Sequence, residues 1–136
     1  MGIYLNSGND DFYEAIHSEI YIDKSMLIEN TNKILKTKQK YVCISRPRRF
    51  GKSITADMLT AYYNKGCNSK ELFSRLKISK SSSFEKHLNK YNVIHLNMAD
   101  FWNEANDICE MLNFIEEDLT EELIRTYSHV EFPKRK

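Results

Sequence analysis

Apolar and polar positions in this chain follow two periods. From Asp11 to Ser18 the pattern predicts a short helix capped by Asp10 or Asp11. Tyr21-Ile22 is a brief extended piece. Asp23 then predicts the cap of a helix from Lys24 to about Lys36, with Leu27, Ile28, Ile34 and Leu35 on its apolar stripe and Thr31 between them. Lys40 to Ser45 is a short apolar run rich in β-formers and fits a buried strand, ended by Pro47. From Lys52 to Asn64 the helical period returns, with Ile54, Met58, Ala61 and Tyr62 on one face and Gly66 as a C-terminal cap. Asn68 or Ser69 predicts the cap of a helix through Leu72, Phe73 and Leu76. Ser82-x-x-Glu85 is a capping-box pattern ahead of Phe84 and Leu88. Tyr91 to Met98, with Val93, Ile94 and Leu96, predicts a second strand. Asp100 or Asn103 opens a long helix whose face is Ile108, Leu112, Ile115, Leu119 and Leu123.

Composition narrows the class without deciding it. The 136 residues are 41% hydrophobic and 29% charged, values typical of one folded globular domain rather than a disordered chain. The net charge of +1 favours no partner by itself. Charge is uneven, with a basic cluster at Arg46, Arg48 and Arg49, a basic tail from Pro133 to Lys136, and an acid-rich run from Glu116 to Glu122 expected on a solvated helix face. Cys43, Cys67 and Cys109 are far apart and show no metal-ligand spacing, so a reducing, cytoplasmic setting is expected, with Cys43 an apolar member of the buried strand. No signal peptide pattern and no stretch of membrane-spanning length stand in the sequence. His17, His87, His95 and His129 are scattered without ligand-spaced partners, and Tyr62, Tyr63 and Trp102 are expected to pack.

The stretch with chemistry in it is Ser45-Arg46-Pro47-Arg48-Arg49-Phe50-Gly51-Lys52-Ser53, between the strand signal and the helix. That context is the one a phosphate-binding P-loop requires. Backbone N–H groups at a helix N-terminus point at an anion, and the helix dipole favours it. Gly51 lets main chain approach a phosphate with no Cβ in the way. Lys52 would place a charge between the β- and γ-phosphates, and Ser53 would offer its hydroxyl to Mg²⁺. Gly-x-x-x-x-Gly-Lys-Ser expects glycine where Arg46 stands, and Pro47 can pre-set part of the turn.

Arg46-Pro47-Arg48-Arg49-Phe50-Gly51-Lys52-Ser53 resembles the P-loop of the AAA-ATPase-like family of predicted bacterial ATPases, in which arginine is usual at the first position. Tyr21-Ile22-Asp23-Lys24-Ser25 is similar to a segment that precedes the P-loop in that family. Asp23 and Lys24 are conspicuous for this, though a helix cap beside a surface charge also accounts for them. Leu72-Phe73 with Leu76 and Ile78, and Val93-Ile94-His95-Leu96-Asn97, resemble two further segments, with Asn97 where the family has aspartate. The resemblance implies an α/β fold, a partial P-loop NTPase domain of parallel strands flanked by helices. ATP and Mg²⁺ are the implied cofactors. It implies nucleotide contact by residues 46–53, with Lys52 as the catalytic residue and Ser53 as the metal ligand.

Residues 1–136 are expected to be the N-terminal portion of one such domain, without the strand ending in Asp-Glu that hydrolysis uses. Val93 to Leu96 ends at Asn97, which cannot serve as a general base, and Asp100 is expected to cap the long helix. The parent protein is expected to be an ATPase and this portion to bind nucleotide with little or no hydrolysis. An incomplete sheet with exposed edges favours pairing with another chain as a homo-oligomer. The alternative is a non-enzymatic module that binds nucleic acid or protein through a decayed P-loop. A phosphotransferase on the same loop would need an acceptor site that the sequence does not reveal.

Overall fold

The computed structural model describes residues 2–45, 51–129 and 131. Within them the chain is built from helices: α1 (Asp10–Ile16), α2 (Leu27–Ile34), α3 (Lys52–Tyr63), α4 (Lys70–Phe73), α5 (Phe84–His87), α6 (Met98–Glu104) and α7 (Ile108–Thr126), with a 3-10 turn at Lys77–Lys80. No described helix is long and apolar enough to cross a membrane.

The core gathers around the second half of α3. Met58, Ala61 and Tyr62 are buried there against Phe12 of α1, Ile28 of α2, Phe73 of α4, and Leu76, Ile78, Phe84 and Leu88. The Phe73 ring stacks on Phe12 at 5.0 Å between centroids and meets Tyr62 edge-on at 5.7 Å. Such aromatic pairs contribute beyond the area they bury. Tyr62 can be this deep because its hydroxyl is satisfied, donating to the carbonyl of Phe84 at 2.7 Å and accepting from Asn32 Nδ2 at 3.1 Å. Asn32 Oδ1 in turn accepts from the Tyr63 hydroxyl at 2.6 Å, which ties α2 to α3. A buried polar network of this kind is stable only because its members find partners.

The expected parallel α/β sheet does not form: the described residues contain no strand, only two isolated bridges, Leu5 with Ile94 (antiparallel) and Asn64 with Tyr91 (parallel). The physical reason lies in pairing. An apolar run has the side chains of a buried strand, but a strand exists only where a second main chain meets its N–H and C=O groups. Residues 41–45 form no strand and are exposed, Tyr41 at 85% and Val42 at 53%, so Cys43 is exposed rather than buried. The second run, around Val93, bonds instead to the N-terminal segment: Asn6 N–H donates to the Val93 carbonyl at 2.8 Å, and His95 N–H to that of Tyr4 at 3.0 Å.

The C-terminal half differs in a similar way. One long helix was expected, and two are present. Asn97 caps α6 through the Ala99 N–H at 3.2 Å, and Asp107 caps α7 through the Glu110 N–H at 2.7 Å. Asp100 therefore lies inside the first turn of α6 and caps nothing. Glu85 is not part of a capping box, because α5 has Ser83 as its N-cap; its carboxylate pairs with Lys70 at 2.9 Å. The acidic face of α7 is not uniformly solvated either. Glu122 is buried, and its Oε2 accepts from the Tyr4 N–H at 2.9 Å and the Leu5 N–H at 3.4 Å.

Candidate phosphate site at the start of α3

Helix α3 begins at Lys52 with Gly51 as its N-cap. Gly51 has φ +80°, in the left-handed region that residues with a Cβ avoid. Its carbonyl accepts from both the main-chain N–H (2.9 Å) and the hydroxyl (2.8 Å) of Thr55, so the turn into the helix is held from within. Lys52 and Ser53 follow in the first turn with exposed side chains. Of the loop residues expected to contact nucleotide, Gly51, Lys52 and Ser53 are thus brought together. Arg46, Pro47, Arg48, Arg49 and Phe50 lie outside the described residues.

Two clefts meet at this point. One, of about 630 Å³, lies between residues 42–45 and the start of α3, with Lys24, Val42, Ile44, Ser45, Lys52 and Thr55 in its wall. The other, of about 390 Å³, is more apolar and is walled by Tyr21, Ile22, Lys24, Gly51, Ile54 and Met58. Ile54, expected on the buried face of α3, is 43% exposed because it lines this second cleft. Burial pushes the Tyr21 phenol up to about 12, the Asp23 carboxylate adding to the shift, so Tyr21 stays neutral.

Lys24 lines both clefts, and its Nζ lies 3.2 Å from where a Cβ on Gly51 would stand. In the sequence Lys24 is conspicuous by resemblance, and a surface charge next to a helix cap also accounts for it. The structure places Asp23 otherwise. Helix α2 starts at Leu27, and Asp23 accepts from the N–H groups of Ser25 (2.8 Å) and Lys77 (2.9 Å). The signal that could have found Lys24 was the Tyr-Ile-Asp-Lys-Ser segment itself.

The segments that form this corner belong to one recognisable pattern. A model of the family of predicted AAA-ATPases matches residues 7–135. The chain belongs to this AAA-ATPase-like family. No curated protein and no solved structure matches it. In this AAA-ATPase-like chain the match spans both the Tyr21–Ser25 segment and the start of α3, the two elements that meet at Gly51. Neither cleft has a described Asp or Glu in its wall. Asn97, where an acid was looked for, is engaged as the cap of α6.

Proposed function

We propose that this AAA-ATPase-like chain binds ATP with Mg²⁺ at the N-terminus of α3. The observation that supports the reading best is Gly51: a left-handed residue directly ahead of Lys52-Ser53, opening a helix beside an accessible cleft. The helix N-terminus presents N–H groups to an anion. Lys52, exposed in the first turn of α3, would supply a positive charge to the β- and γ-phosphates.

The residues present fit a magnesium nucleotide. Ser53 is exposed one position after Lys52, where a hydroxyl serves a hard cation, and Gly51 leaves open the space that a Cβ would fill. The ion would neutralise phosphate charge and fix the oxygens it binds. Binding, rather than rapid hydrolysis, is the activity proposed for these residues, because hydrolysis needs an acid near the metal and the described cleft walls contain none.

Equilibrium dialysis with ATP tests this. Saturable uptake that depends on Mg²⁺ is expected. Strongly salt-dependent DNA binding with no ATP uptake would replace the proposal with the nucleic-acid module.

A further inference from the structure

We infer that Lys24 is a second phosphate-binding cation of the site, acting beside Lys52. The inference rests on the nucleotide reading above and adds a residue to it from a separate element.

The placement of Lys24 is built in from both sides. Before it, Asp23 is fastened by the N–H groups of Ser25 and Lys77. After it, the chain turns into α2, with the Leu27 N–H donating to the Lys24 carbonyl at 3.1 Å and the Ile28 N–H to that of Ser25 at 3.0 Å. Ser25 is itself buried, and its hydroxyl accepts from the Ile78 N–H at 3.1 Å. The main chain at Lys24 is therefore anchored to the 3-10 turn at Lys77–Lys80. Its exposed side chain reaches across to Gly51, bringing Nζ to 3.2 Å from the absent Cβ.

The chemistry follows from that position. Gly51 is where the main chain would come closest to a phosphate, and the missing Cβ leaves the approach open. An ammonium at this point stands over the same opening. Lys52 lies in the wall of the same cleft, so two cations from different elements share one space. Two cations in the wall of one cleft are placed to make two charge-assisted contacts to one polyanion. A triphosphate has the charge density and length to take both.

Titration of MgATP into the full chain, measured by heat release, tests this with Lys24→Met, Lys24→Arg and Lys52→Ala in parallel. Lys24→Met is expected to weaken ATP binding about tenfold, as loss of one charge-assisted contact does. Lys24→Arg keeps the charge and is expected to restore most of the affinity. Circular dichroism of both variants should match that of the unaltered chain, since the main chain on either side of Lys24 is held by the hydrogen bonds of Asp23 and Ser25. A Lys24→Met protein that binds like wild type while Lys52→Ala does not would overturn this inference and leave the nucleotide site standing. A wild-type chain that fails to bind ATP would overturn both.

Discussion

The Asp23 carboxylate accepts a hydrogen bond from the main-chain N–H of Lys77, 2.9 Å away, joining the segment ahead of α2 to the 3-10 turn. Burial alone would push this carboxyl up. The hydrogen bonds from Ser25 and Lys77 and the charge of Lys77 outweigh that, so it titrates below the ordinary aspartate value of 3.8. A carboxyl with a lowered native value stabilises the fold above its unfolded value, and that contribution is lost as pH falls through the native one. Asp23→Ala is expected to cost on the order of 1–2 kcal/mol at pH 7, and the cost should shrink in acid. Denaturant unfolding at pH 7 and at acid pH measures both. An equal loss at the two values would mean that the carboxylate's charge plays no part.

Gly51→Ala tests the turn into α3. A Cβ at φ +80° costs roughly 1–2 kcal/mol of backbone strain, and it would press to 3.2 Å from Lys24 Nζ. Loss of ATP affinity on the order of tenfold or more is expected, with a lowered melting temperature. An alanine variant that melts and binds like wild type would place this turn in another conformation.

Asp57 carries the opposite sign. Burial pushes its carboxyl up and Asp11 adds to this, while His95, with Nδ1 3.9 Å away, offsets part of it. A carboxyl whose native value is raised destabilises the fold when ionised, so stability falls as pH rises through that value. Asp57→Asn should stabilise the protein by about 0.5 kcal/mol at pH 7, and the gain should vanish in acid. A loss of stability at pH 7 would show that the Asp57–His95 contact outweighs the burial.

Glu122 holds the N-terminal segment. Its carboxylate takes the N–H groups of Tyr4 and Leu5, and hydrogen bonds to a charged group are worth roughly 1.5–3 kcal/mol. Glu122→Ala should lower stability by about 2 kcal/mol and speed hydrogen exchange at the Tyr4 and Leu5 amides. Unchanged exchange at those amides would mean the segment is held by its bridge to Ile94 instead.

How much of this was legible in the sequence depends on the range of the interaction. Helix α3 was, because its period and the Gly51 start are local signals, and Met58, Ala61 and Tyr62 on its predicted face are buried. Phe73, Leu76, Phe84 and Leu88 were named for the same reason and lie in the core. The strands were not legible. The runs at residues 40–45 and 91–98 show what the side chains favour, but not whether another main chain is there to pair with. The break between α6 and α7 was missed because the stripe from Ile108 onward marks only α7, and the capping by Asp107 depends on one local hydrogen bond. At the site, Gly51-Lys52-Ser53 was visible as a motif. Lys24 was visible as a member of the Tyr-Ile-Asp-Lys-Ser segment, but its approach to Gly51 was not, since that is a tertiary contact between segments that no local period connects.

The most direct test of the central claim is the ATP affinity of Lys52→Ala measured against the unaltered chain, with Mg²⁺ present. Lys52 is exposed in the first turn of α3, so its removal should leave the fold intact while abolishing saturable binding. Equal binding by the two proteins would contradict the nucleotide assignment.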